Sequence, residues 1–263
     1  MDPVIESYER SQEEKRLTEA PVRRIEFLTA VRILEEHLPS GGELLDCAAG
    51  AGVYAFYFAE RGFSVTATDL TPRHVRIMQE KRRGSGLPVR IAEADARDLS
   101  RFAAESFSVV LNMGPFYHLT AAEDRRRCME ESLRVLKKGG LLAVSYISRY
   151  FAFYHAALRD QCFLRNDLSD ALLQTGEIHQ EDPYCFWTES YYSSPEEMEQ
   201  LFQEYGLSVE DHFAQDGISP YFPEKIDAFT AEQFSIWCEH HYKTCREKSI
   251  LGASNHIMIL GRK

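Results

Sequence analysis

Apolar positions along this chain fall into two spacings that take turns. Residues 21–38 carry Ile25, Leu28, Val31, Leu34 and Leu38 three or four apart behind Pro21, which predicts a helix with one buried stripe. Ser40-Gly41-Gly42 closes it. A short apolar strand is expected over 43–47, then a glycine-rich turn and an apolar helix over 53–60. Residues 63–68 alternate in the manner of a strand, and a helix is predicted over 71–82, capped by Thr71 with Pro72 at its first position. Strands are predicted over 88–93 and 106–111, a helix over 121–136, and a strand over 141–147. Lys137-Lys138-Gly139-Gly140 places basic residues and then glycine where that helix stops.

Five strands separated by helical segments imply an α/β fold, a parallel sheet with helices on both faces. Such sheets take ligands at the carboxyl ends of their strands, near the point where strand order reverses. The pattern then breaks. Residues 149–170 are helical and aromatic-rich, 184–192 read as extended, and Ser194-Pro195-Glu196-Glu197 opens a capped helix. A strand over 207–213, a helix over 231–247 and a strand over 256–260 follow. The expected organisation is a helical cap over 1–40, a ligand-binding core over 41–148, an inserted lid over 149–193 and a completion of the core sheet over 194–263.

Composition narrows this picture. With 263 residues, 44% of them apolar and 27% charged, the chain can build a conventional core without disulfide staples. A net charge of −11 argues against nucleic acid as the main partner. The run Arg125-Arg126-Arg127 lies within a predicted helix and reads as a solvated face. The six cysteines show no C-x-x-C spacing and no zinc pattern with histidine, so free thiols in a reducing compartment are expected and no metal site is evident. The polar first sixteen residues lack a signal-peptide core, and no run approaches the roughly 18 apolar residues of a membrane span. A cytoplasmic protein without membrane partners is the expectation.

The chemistry concentrates at predicted strand ends. Leu44-Leu45-Asp46-Cys47-Ala48-Ala49-Gly50-Ala51-Gly52 is a strand ending in an acid, followed by a tight turn and a helix whose first N–H groups are unpaired. Gly50-Ala51-Gly52-Val53-Tyr54-Ala55 also satisfies the dinucleotide fingerprint G-x-G-x-x-A, so an NAD(P)-dependent oxidoreductase is a rival reading. Asp69, after the second strand, suits a pair of ribose hydroxyls in either case. Asp95, after the third, suits an adenine amine. Asp46 favours a ligand carrying an ammonium group and would sit badly beside a pyrophosphate.

These motifs resemble the class I S-adenosylmethionine-dependent methyltransferases, specifically a bacterial subgroup of small-molecule type, over about residues 43–147. The resemblance implies a Rossmann-like, seven-stranded, mostly parallel sheet with its last strand antiparallel. It also implies S-adenosylmethionine as cofactor, leaving S-adenosylhomocysteine as product. Ala48 stands where the family's first motif usually has glycine. Asp46, Ala48, Gly50, Gly52, Asp69, Leu70, Asp95 and Ala96 become cofactor-binding candidates, with Asn112 and Met113 after the fourth strand. Tyr8 and Arg16, on an N-terminal segment that also resembles the subgroup, are candidates to fold over the cofactor.

The acceptor is expected to be a small molecule. His118 is the candidate general base, with Tyr117 beside it and Phe116 placed to pack on substrate. Tyr150 and Tyr154 from the insertion, and His256 at the start of the last strand, are further substrate candidates. A non-catalytic adenosylmethionine-binding regulator remains a second rival, because methyl transfer has no obligatory catalytic residue. The sequence indicates neither the acceptor, the atom methylated nor the oligomeric state.

Overall fold

A computed structural model of the chain describes residues 3–10 and 13–263. Seven strands form one sheet: β1 (Gly42–Cys47), β2 (Phe63–Asp69), β3 (Arg90–Glu93), β4 (Phe107–Asn112), β5 (Leu136–Ile147), β8 (Ser208–Ala214) and β9 (His256–Arg262). Two short strands, β6 (Glu177–Ile178) and β7 (Ser190–Tyr191), pair separately. The sheet order is β3-β2-β1-β4-β5-β9-β8. β1 to β5 run parallel, and β9 is antiparallel to both β5 and β8. The expected Rossmann-like sheet is therefore present, including the antiparallel last strand. The chain builds outward from β1 to β3 and then returns to lay β4 on the other side of β1. That reversal opens a crevice at the carboxyl ends of β1 and β4.

The helices are α1 (Pro3–Arg10), α2 (Glu13–Arg16), α3 (Pro21–His37), α4 (Val53–Glu60), α5 (Pro72–Ser85), α6 (Ala122–Val135), α7 (Arg149–Arg159), α8 (Asn166–Gln174), α9 (Pro195–Glu204), α10 (Pro223–Asp227), α11 (Ala231–Thr244) and α12 (Lys248–Leu251). Among the described residues, none is long and apolar enough to cross a membrane. A main core of fully buried residues such as Leu44, Leu45, Val109, Val110, Leu142 and Ile259 lies along the sheet. Val22 and Ile25 of α3 bury against Ile226 and Cys238, which joins the N-terminal region to α10 and α11. The residue before α3, Ala20, has no side-chain acceptor for the helix's first N–H groups. Asp227 takes that role, its Oδ1 accepting from the Val22 N–H at 2.9 Å.

Three boundaries differ from the periodicity. The helix expected over 149–170 breaks into α7 and α8, because Asp160 turns extended (φ −152°) and its side chain accepts from the Cys162 N–H. The extended stretch expected over 184–192 pairs only at Ser190–Tyr191. β5 starts earlier than predicted, at Leu136. Phe107 pairs with Leu136 but Val109 pairs with Leu141, so Lys137-Lys138-Gly139-Gly140 bulges out of the ladder.

Candidate functional site

The crevice is occupied by a cavity of about 200 Å³, walled by the β1–α4 turn, the ends of β2 and β3, the segment after β4, and α1–α2. Its floor is set by the first motif. Ala48 (φ 59°), Gly50 (φ 55°) and Gly52 (φ 77°) all adopt left-handed backbone, which folds the chain back within five residues. The turn is tied by Ala49 N–H to Thr68 O at 2.7 Å and Gly52 N–H to Ala49 O at 2.8 Å. Ala48 thus holds a conformation that glycine takes freely and an L-residue takes at a cost of about 1–2 kcal/mol. A Cβ on Gly50 would meet nothing within 4 Å, so its missing side chain leaves open space for a ligand. Gly52 differs: a Cβ there would press on Met78 at 3.0 Å and Phe56 at 3.1 Å. Gly52 does not line the cavity, which corrects its assignment to the ligand; it serves the turn and the packing of α4.

Asp46 lines the cavity while almost fully buried, and its Oδ2 has no hydrogen-bond partner among the described residues. Burial, reinforced by the nearby Asp69 charge, pushes its carboxyl up to about 7. Burying an unpartnered carboxylate is costly, and the raised value expresses that cost. Asp69, by contrast, is heavily used. Its Oδ2 accepts from Gly50 N–H at 2.8 Å, and its Oδ1 accepts from Thr71 N–H at 2.8 Å and faces His74 Nδ1 at 3.1 Å. It braces the glycine turn against the start of α5, and Leu70 beside it lines the cavity.

At the far end Asp95 is clamped by Arg97, whose Nη2 donates at 2.6 Å and whose Nε reaches both oxygens at 3.0 Å. Arg97 Nη1 also donates to Asp124 at 2.9 Å. Burial raises the Asp95 carboxyl, but the Arg97 bonds outweigh it and hold the group below its ordinary range. Ala96, Arg97 and Asp124 line the same cavity.

Tyr8 of α1 closes the cavity from above, its ring edge-on to His74 and His118 with both centroids at 5.4 Å. The Tyr8 hydroxyl lies 2.8 Å from His118 Nε2. His118 Nδ1 is buried without a partner among the described residues, and burial drives the imidazole down to about 3. Burial at this position thus disfavours the charged imidazolium. Tyr117 lines the cavity and donates to Met113 O at 3.3 Å; Met113 lines it too. Trp187 of the insertion approaches His118 with centroids at 4.9 Å, and Glu189 reaches the lining. Arg16 lines the wall and grips Glu26 with contacts of 2.5 and 3.1 Å. Burial raises Glu26, but Arg16 and His256 outweigh it and leave the carboxyl lowered.

Several sequence candidates fall elsewhere. Asn112 is fully buried and donates to Cys128 Sγ at 3.0 Å and Ser132 Oγ at 3.2 Å, so it fastens β4 to α6 and does not line the cavity. Phe116 points into the core and meets Tyr191 instead. Tyr150 and Tyr154 are exposed on α7, at a separate shallow groove with Tyr221 and Lys248. His256 is buried behind Tyr117, between Glu26 and Asp216. Missed by the sequence reading were Arg97, Asp124, Tyr54, His74 and Glu189. Arg97, two residues beyond Asp95, was the one with a local signal.

Residues 45–144 match the family described as methyltransferase domain. The chain is 32% identical over 117 residues to a glycine/sarcosine N-methyltransferase of Parasynechococcus marenigrum, covering 44% of this chain and 41% of that protein. It is 33% identical over 114 residues to the erythromycin 3''-O-methyltransferase of Saccharopolyspora erythraea, covering 42% and 36%. The matches thus span about two-fifths of these relatives. The structure resembles that of a S-adenosylmethionine-dependent methyltransferase from Methanosarcina mazei with a TM-score of 0.60 at 18% identity, covering 88% of this chain and 96% of that one. The fold is that of the class I methyltransferases. The segment that matches the methyltransferase domain spans the β1–β5 half of the sheet.

Proposed function

We propose that the cavity binds S-adenosylmethionine and that the protein transfers its methyl group to a small-molecule acceptor. The observation that carries this reading is the buried Asp46 Oδ2, unpartnered among the described residues, beside the open face of Gly50. A carboxylate there complements an ammonium group and would repel a pyrophosphate, which disfavours the nicotinamide alternative. Asp69 keeps about one acceptor site, on Oδ2, for a ribose hydroxyl beyond the Gly50 and Thr71 N–H groups and the His74 ring nitrogen it already holds. Ala96 and the Asp95–Arg97 pair border the adenine end. Arg16, Tyr8 and Leu17 cover the amino-acid end.

When bound, this cofactor supplies an electrophilic methyl group on a sulfonium. The chain's own contribution is enclosure and alignment, which can lower a barrier by about 7 kcal/mol in favourable cases. Tyr117 and His118 stand at the end of β4, where an acceptor would approach. We assign His118 to hold Tyr8 over the cavity as a neutral hydrogen-bond partner; Tyr117 is placed to contact the acceptor. The relatives' names include both an N- and an O-methyltransferase, so the acceptor atom stays open within amines and hydroxyls.

Calorimetric titration with S-adenosylmethionine, S-adenosylhomocysteine and NAD(P)H side by side tests the cofactor. Micromolar binding of the two sulfur compounds alone is expected; binding of NAD(P)H alone would overturn the assignment. Product formation across small amines, phenols and thiols then separates an enzyme from a binding protein.

A further inference from the structure

Two members of the run Arg125-Arg126-Arg127 behave as the solvated face its composition suggests. Arg126 and Arg127 are 51% and 60% exposed and pair along their own helix with Glu123 and Glu130. Arg125 does not. It is 13% exposed, and its guanidinium reaches two other segments of the chain. The first is the segment after β4. Arg125 Nη1 donates to Leu119 O at 2.8 Å and also to Thr120 O. The second is the β6–β7 pair of the insertion. Nη2 donates to Glu177 Oε1 at 3.3 Å, and the guanidinium carbon lies 3.5 Å from the centroid of the Tyr191 ring.

Glu177 and Tyr191 face each other across β6 and β7, so one side chain engages both strands at a single register position. The arrangement uses what distinguishes arginine from lysine. A planar fork points N–H groups at two carbonyls and a carboxylate in fixed directions, while its flat face lies on an aromatic ring. An ammonium would keep the charge and lose the fork and the face. Tyr191 in turn meets Phe116 of the post-β4 segment, with centroids 6.3 Å apart.

Both segments that Arg125 holds carry residues of the cavity. The post-β4 segment brings Tyr117 and His118 to it. Just before β7, Glu189 reaches the lining and Trp187 stands against His118. Arg125 itself does not line the cavity. We propose that Arg125 is a positioning residue that latches the insertion, as a lid, onto the post-β4 segment and thereby sets the affinity for the methyl acceptor. The consequence for turnover rests on the methyl-transfer reading above; the latch itself does not.

The test compares the full chain with Arg125→Lys, Arg126→Lys and Glu177→Gln by hydrogen–deuterium exchange. In Arg125→Lys, amide exchange over 116–120 and over 186–193 should quicken together, by about tenfold or more, while β1, β4 and the body of α6 exchange as in the parent. Arg126→Lys should match the parent. Glu177→Gln leaves both carbonyl bonds in place and should loosen 186–193 alone. Should Arg125→Lys fail to fold, that variant decides, and no loosening of 186–193 in it would overturn the latch. Unchanged exchange in both segments of Arg125→Lys would overturn it too. So would loosening that spreads through α6 and the sheet, because Arg125 would then be a general brace. In turnover, Arg125→Lys should raise KM at least about tenfold for the fastest-methylated member of the small amine, phenol and thiol panel, with kcat and the S-adenosylhomocysteine Kd within about threefold of the parent. A fall in kcat at unchanged KM would overturn the assignment to acceptor affinity. If the parent binds no S-adenosylhomocysteine and methylates no member of the panel, the methyltransferase reading fails, and the exchange pattern still decides the latch.

Discussion

Asp46 and Ala48 show what single residues decide in this protein. Asp46 has a raised carboxyl pKa, about 7 against an ordinary value near 4. A raised folded-state value stabilises the protonated folded form, so this group's stabilising contribution is full at acid pH and is lost as pH rises from about 4 through about 7. The difference corresponds to at most about 4 kcal/mol. Asp46→Asn should therefore stabilise the ligand-free protein more at pH 8 than at pH 5, as read by thermal melts. The same variant should weaken adenosylmethionine binding at least about tenfold, because the ammonium partner is gone. In the parent protein, affinity should fall as pH drops below about 7, with proton release on binding; calorimetry in buffers of different ionisation enthalpy reads this directly. A pH-independent affinity between 5 and 8 would remove Asp46 from the cofactor site. Ala48 carries left-handed backbone where the family usually has glycine. Ala48→Gly should raise stability by about 1 kcal/mol, seen as a shift of a few degrees in melting temperature. An unchanged or lower melting temperature would mean the turn is not strained at this position.

Between elements, the decisive contacts are caps and clamps rather than motifs. Tyr8 joins α1 to His118 across the cavity, so Tyr8→Phe should raise the dissociation constant for adenosylmethionine by about three- to tenfold while leaving the melting temperature of the free protein nearly unchanged. Asp227 caps α3 from the far end of the chain, and Asp227→Ala should cost about 1 kcal/mol in a denaturant titration. What the sequence made legible at this scale follows from locality. Strand ends and their acids, Asp46, Asp69 and Asp95, are readable because the chemistry sits within a few residues of a periodic run. Tyr54 and Glu189 were not, since their place in the cavity depends on where α4 and the insertion come to rest. Asn112 and Phe116 misled for the related reason that a residue after a buried strand alternates between facing ligand and facing core, and periodicity alone does not say which. Tyr150 and Tyr154 looked like pocket walls because they are aromatic, but the face that α7 buries carries Phe151, Ala152 and Ala156.

For the molecule as a whole, the strand alternation over residues 43–147 was enough to specify the architecture, because parallel sheets with crossover helices have few permitted arrangements. That the last strand runs antiparallel rested on family resemblance, and the structure bears it out: β9 is antiparallel to both β5 and β8. The six cysteines are all free. Adding a thiol reductant to freshly purified protein should leave the melting temperature unchanged; a drop of several degrees would expose a disulfide, whether within or between chains.

The position of β9 between β5 and β8 bears on how the protein is made. During synthesis β5 leaves the ribosome more than a hundred residues before its antiparallel neighbour, and β8 has no sheet partner until β9 appears. For that interval the nascent chain carries an open edge on an otherwise assembled half-sheet, a template for pairing with other chains. Production yield of this protein should therefore respond more to chaperone supply and translation speed than its finished stability would suggest. Silent codon changes between β8 and β9 offer a way to see that dependence without altering a single side chain.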